Sequence, residues 1–240
     1  MTQDTPNTPQ INENEHPLLH TFVWSYASRS KQTTVTNDTY AAGILPLFEF
    51  STVEKFWQIY QHMKPITEYR QSVNYHLFKD YSCPMWEHDS NINGENIILT
   101  IPGCIMNYVS EKFVINFISG RYDRLLGGDH INGIGLSRRG DMYRIFVWFD
   151  VAEDWKKRTL FCCDLIKNLP LPQETQFTFK TMAVAIAGEL KFKELPCFSG
   201  NELETKFNGY FPDTTIEELI EASQQEMEDS FNDVSQEENN

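Results

Sequence analysis

Trp86 and Glu87 stand side by side in "PMWEHD". An indole next to a carboxylate can stack a flat base and accept hydrogen bonds from its edge. A second stretch, Met142–Phe149, reads as a strand with Arg144, Phe146 and Trp148 on one face. Arg144 and Trp148 would then lie ~13 Å apart along one surface, a span that joins an aromatic base site to a phosphate site. The "RRGD" before this strand suggests a hairpin that brings Arg138 and Arg139 near Arg144. Guanidinium groups suit bidentate phosphate contacts. These residues alone leave two readings open: a nucleotide site, or core tryptophans with ordinary surface arginines.

Other chemistry is poorly supported. "GGDH" and "GIG" between Gly127 and Gly135 are glycine-rich but lack the lysine and the glycine order of phosphate loops. His16 and His20 are four residues apart where a strand begins, which sets them ~13 Å apart instead of one helical turn, too far to share a metal ion. Glu87, His88 and Asp89 are consecutive and cannot all point into one site. Five cysteines with no CxxC form an odd set, which suits reduced thiols serving mostly as small core residues. No metal, cofactor or catalytic constellation emerges.

The elements that must position these residues are legible in outline. Ser51 reads as an N-cap with Glu54 at the capping-box position, and Val53, Phe56, Trp57 and Tyr60 then recur at helical spacing. Helices are also predicted over 105–119, with Met106, Val109, Phe113 and Phe117 recurring, and over 152–167, with Asp150 as its candidate start. Strands are predicted over 19–26, 73–78, 96–101, 131–138, 142–149 and 176–180. Strands and helices do not alternate regularly. The expected class is therefore α+β, an antiparallel sheet covered on one face by helices, and not a doubly wound fold.

The 240 residues carry a net charge of −14, which would ordinarily argue against a nucleic-acid ligand. The charge is unevenly spread: residues 16–196 hold 19 acids and 19 bases. The expected organisation is a disordered arm over 1–15, a neutral globular domain over 16–198 and an acidic tail over 199–240. A short docking helix is conceivable between Pro212 and Phe231, the solvated tail being the preferred reading. No apolar run approaches the ~20 residues of a membrane span, and no signal peptide is visible.

The combination of "HPL" from His16, "STVEKFWQIYQHM" (Ser51–Met63), "YHLFKDYSCPMWEHDSNINGEN" (Tyr75–Asn96), "NGIGLSRRGDMYRIFVW" (Asn132–Trp148) and "NLPLP" (Asn168–Pro172) resembles the translation initiation factor 4E family of mRNA cap-binding proteins. The resemblance implies a curved antiparallel sheet with about three helices on the convex face and the cap on the concave face. It places Tyr40, seventeen residues before Trp57, where the main factor has a tryptophan, and His16 lies further from Tyr40 than in that factor. Both features resemble the 4E-homologous protein branch, associated with translational repression. Arg144, in contrast, keeps a basic phosphate ligand which that branch tends to lose.

By the same resemblance, Tyr40 and Trp86 would sandwich the cationic 7-methylguanine, Glu87 would accept from its N1–H and amine, and Trp148 would pack on the methyl. Arg139 and Arg144 would neutralise the triphosphate. On the convex face His16, Pro17, Val53 and Trp57 match the family's binding site for a Tyr-x-x-x-x-Leu-apolar helix of a scaffold or repressor. The back helix departs from the family, with "YVSEKF" in place of Trp-Leu-Glu. The C-terminal loop departs too, and Lys191 and Lys193 stand as substitute phosphate ligands. The expected protein is a cytoplasmic, monomeric, non-enzymatic factor without cofactor that recruits capped mRNA to the initiation machinery. The alternatives are a cap-binding repressor and an interaction module whose cap site has decayed.

Overall fold

The computed structural model describes residues 15–28, 41–69, 73–188, 190–219, 221–222 and 225. Residues 1–14 of the expected arm, and Tyr40, lie outside the described residues.

Eight strands form one antiparallel, curved sheet. They are β1 (Pro17–Ser28), β2 (Ile44–Thr52), β3 (Val73–Lys79), β4 (Glu95–Pro102), β5 (Ile131–Arg139), β6 (Met142–Phe149), β7 (Gln176–Thr181) and β8 (Cys197–Ser199), in the order β2-β1-β3-β5-β6-β4-β7-β8. The described helices are α1 (Val53–Tyr60), α2 (Gly103–Ile118), α3 (Arg121–Leu126), α4 (Trp155–Asn168), α5 (Met182–Ala187) and α6 (Gly200–Tyr210).

The two-residue period of the strands divides the sheet into two faces. Leu77, Ile97, Leu99, Ile134, Leu136, Ile145, Val147 and Phe177 point to the back and are buried. There they join Met106, Val109, Phe113 and Phe117 of α2 and Phe161 and Leu165 of α4 in a single apolar cluster. Each such side chain contributes on the order of 1.5–3 kcal/mol by leaving water. The same alternation sends Asn74, His76, Phe78, Arg144, Phe146, Trp148, Asn96, Ile98 and Lys180 to the opposite, front face of the sheet.

Buried ion pairs tie helices to this frame. Glu95 of β4 meets Arg158 of α4, and Arg121 of α3 grips Asp164 of α4 through two contacts of 2.6 Å. Lys79 at the end of β3 donates to both oxygens of Asp123 in α3 at 3.0 and 2.9 Å, and to Asp129. His20 is near the same carboxylates, 3.4 Å from Asp123 and 3.7 Å from Asp129. The ammonium of Lys79 bridges both carboxylates and ties the end of β3 to α3, a structural role.

Several element ends differ from the sequence reading. Thr52, not Ser51, caps α1, accepting from the Lys55 amide at 3.3 Å. Glu54 does not close a capping box; it takes the backbone N–H of His16 at 2.8 Å and pairs with its ring at 2.7 Å. Asp154, not Asp150, caps α4, accepting from the Lys157 amide. The cysteines are mostly not core residues: Cys162 and Cys163 are buried, whereas Cys104 and Cys197 are exposed. Where an acidic tail is expected from 199, α6 instead places Leu203 and Phe207 in the core, and Ile216 follows them.

Candidate functional site: the front cavity of the sheet

Strand register lays out the front face as rows. One row runs Phe78, Gly133, Trp148, Asn96, Lys180 across five strands, and the next runs His76, Gly135, Phe146, Ile98. A third holds Asn74, Ser137 and Arg144. The glycines of β5 decide how these rows pack. A Cβ on Gly133 would lie 2.4 Å from the Phe78 ring, and one on Gly135 would lie 3.2 Å from His76 Nδ1. The rings of β3 therefore lean over β5, and Phe78 reaches Trp148 edge-on at a centroid distance of 5.4 Å. Trp148, Phe78 and Met182 form a small apolar cluster separate from the main core.

Above these rows lies a cavity of about 250 Å³ lined by Asn74, His76, Trp86, Asn96, Ile98, Arg139, Arg144, Phe146, Trp148, Lys180 and Phe192. Four residues expected from sequence, Trp86, Arg139, Arg144 and Trp148, are thus brought together. Trp86 is 38% exposed, on the turn after β3. Glu87 follows it in that turn, but it is not among the lining residues. Arg138 and Arg139 part company because alternate strand residues face opposite ways. Arg139 reaches Asn74 Oδ1 at 2.9 Å on the front, while Arg138 donates to the Thr67 carbonyl at 3.2 Å and packs on the Tyr143 ring.

The lining has three cations and no acid, in a chain of net charge −14. Its floor carries buried polar groups: Trp148 Nε1, Asn96 Nδ2 and both ring nitrogens of His76 have no hydrogen-bond partner among the described residues. Buried polar groups are nearly always paired, so this set points to a polar ligand. Burial lowers the pKa of His76 to about 3, leaving a neutral ring that can donate from one nitrogen and accept at the other. At the rim the Arg144 guanidinium lies 3.9 Å from the Phe192 centroid. The arrangement fits a flat aromatic group joined to a polyanion.

The sequence matches the family model of "Eukaryotic initiation factor 4E" over residues 17–194. The chain belongs to the eukaryotic initiation factor 4E family. Among its relatives, "Eukaryotic translation initiation factor NCBP" of Arabidopsis thaliana is 29% identical over 71% of this chain and 75% of its own. "Eukaryotic translation initiation factor 4E-4" of Caenorhabditis elegans is 27% identical over 75% and 81%. A solved complex of C. elegans eIF4E-3 with the 4E-binding protein Mextli and a cap analogue superposes with a TM-score of 0.65, at 20% identity, over 77% of this chain and 99% of that one. Ascaris suum eIF4E-3 with an m7G cap gives 0.61 at 18% identity, over 70% and 91%.

His76, Asn96, Lys180 and Phe192 in this 4E-family cavity were not singled out from sequence. A row register is needed to see that they converge, and only the His76–Phe78 alternation on β3 hints at it. On the back, α1 buries Phe56 and turns Trp57 outward, 44% exposed. The Trp57 ring meets Phe56 at 5.0 Å and Tyr60 at 5.9 Å, beside a cavity of about 320 Å³ between α1 and α2. Pro17 pairs with Thr52, and the Val53 amide donates to the His16 carbonyl at 2.9 Å. His16, Pro17, Val53 and Trp57 are thus one neighbourhood. No described helix is long and apolar enough to cross a membrane.

Proposed function

We propose that this protein binds the 7-methylguanosine triphosphate cap of mRNA in the front cavity and links it, through the back of α1, to the translation initiation machinery in the cytoplasm. The observation that carries this reading is the convergence of Trp86, Trp148, Arg139 and Arg144 on one cavity floored by unpaired polar atoms. The methylated base is a flat cation, and stacking on an aromatic is worth ~1–3 kcal/mol per base. Trp86 supplies one plate and Tyr40 the other. Glu87, next to Trp86, accepts from the base edge, and Trp148 receives the methyl group. Arg139 and Arg144 hold the triphosphate. The protein works by binding alone, with no metal or cofactor, and as a monomer.

Partners on the back are scaffold or repressor proteins carrying a Tyr-x-x-x-x-Leu-apolar helix, docked on His16, Pro17, Val53 and Trp57. The solved relatives with a bound Mextli or 4E-BP support a partner of this kind. A second reading, repression by occupying the cap, is favoured by one observation: tyrosine stands at position 40. Retention on a 7-methylguanosine triphosphate resin tests the cap site. The chain should bind and be eluted by the methylated nucleotide at lower concentration than by GTP. A chain that flows through the resin overturns the proposal.

A further inference from the structure

One face of the Trp86 ring already holds a cation from the chain itself. Lys180 Nζ stands 4.7 Å from the Trp86 ring centroid, and both residues line the cavity. A stacked base would lie about 3.5–4 Å above that ring, so the ammonium occupies its layer. Register explains the placement: Lys180 pairs with Asn96, which in turn pairs with Trp148, so the lysine rises from the same row of the sheet as Trp148. Lys180 is half-buried, and among the described residues no carboxylate pairs with it. Burial alone lowers its pKa.

Resting on the cap-binding reading, we infer that Lys180 sets the specificity of this site, leaving Trp86 when a base enters and then weakening the preference for a positively charged 7-methylated ring over a neutral guanine. The ammonium cannot go far, because the backbone of Lys180 is held in β7 by its pairing with Asn96 of β4. It remains within a side chain's reach of the bound base. There it repels a cationic ring and leaves a neutral one almost unaffected, while its attraction to the phosphates is the same for both. Arg139 and Arg144 also face the cavity, but they likewise act on the phosphates common to both nucleotides. Unit charges about 7 Å apart repel enough to cost about threefold in affinity at the dielectric of bulk water and roughly fiftyfold at that of a protein surface, so a partly screened pair should cost about fivefold or more.

The test is a pair of fluorescence titrations at low salt, with 7-methyl-GTP and GTP, on the full chain and on Lys180→Met, Lys180→Gln and Lys180→Arg. The ratio of the two affinities should rise about fivefold or more in Lys180→Met and Lys180→Gln and stay within about twofold in Lys180→Arg. An unchanged ratio in the uncharged variants, with both nucleotides bound, overturns this role and leaves the cap-binding reading standing. Loss of both nucleotides from the uncharged variants also overturns it, since Lys180 would then hold the ligand. If the unaltered chain binds neither nucleotide, the cap-binding reading falls and this inference with it.

Discussion

The ring of Phe78 lies over the bare backbone of Gly133, where an added Cβ would come within 2.4 Å of Phe78 Cγ. That ring in turn props Trp148 at 5.4 Å and 69°. Gly133→Ala must therefore push Phe78 into Trp148 or bend β5, an overpacking cost of about 1–3 kcal/mol. Denaturant midpoints should show the loss, and nucleotide affinity should fall with it. Gly209→Ala is the control: Gly209 is a helical position in α6 with nothing within 4 Å of the added carbon, so it should be neutral or stabilising by up to ~1 kcal/mol.

Arg139 and Arg144 approach the cavity from β5 and β6 and differ in their support, Arg139 being held by Asn74 and Arg144 packed on Phe192. Removing either should weaken binding of a methylated triphosphate and flatten its salt dependence by about one unit of slope. Binding of the bare methylated nucleoside should barely change. A mutant that loses the nucleoside equally would show that the arginine supports the fold instead.

The fold was legible wherever local pattern and burial agree. Met106, Val109, Phe113 and Phe117 recur at helical spacing and all four are buried. Arg144, Phe146 and Trp148 alternate along one strand, and they share the front cavity. What escaped sequence reading was set by distant partners. Thr52 caps α1, and Glu54 is engaged by His16 in a contact across 38 residues. Leu203 and Phe207 sit among acidic neighbours that mask their helical face, and α4 supplies the surface that buries it. Lys180 read as one basic residue in a strand, because only the pairing of β7 with β4 aims it at Trp86.

His76 makes the fold sensitive to mild acid. An unfolded histidine takes a proton near pH 6.5, whereas burial keeps this one neutral until about pH 3. The folded pKa is depressed, so the contribution is complete above pH 6.5 and is lost as pH falls from there toward 3. Between pH 6.5 and 5 the loss should reach roughly 2 kcal/mol. Urea unfolding from pH 7 to 5 measures it, above the range where Glu54 and Glu202, both with lowered pKa, begin to add their own loss. His76→Gln, uncharged throughout, should flatten the slope whatever its absolute stability; an undiminished slope would place the acid sensitivity elsewhere.

The two faces should be separable, because Trp57 lies on the back while Trp86 and Trp148 open on the front. Trp57 and Phe56 are neighbours on α1 but point ~100° apart, which leaves Phe56 1% exposed and Trp57 44% exposed. Removing an exposed aromatic anchor from a small helix-binding surface costs about 2–4 kcal/mol of partner affinity. Trp57→Ala should therefore abolish measurable binding of a peptide with the Tyr-x-x-x-x-Leu pattern. Affinity for the methylated triphosphate should stay within about threefold, since no cavity forms in the core. Phe56→Ala supplies the contrast: it empties a site packed against Phe50 and Tyr60 and should cost about 3–5 kcal/mol of stability. Thermal melting decides between the two roles. A large fall in melting temperature for Trp57→Ala, with nucleotide affinity falling in step, would make Trp57 a structural residue and leave α1 without its anchor for a partner.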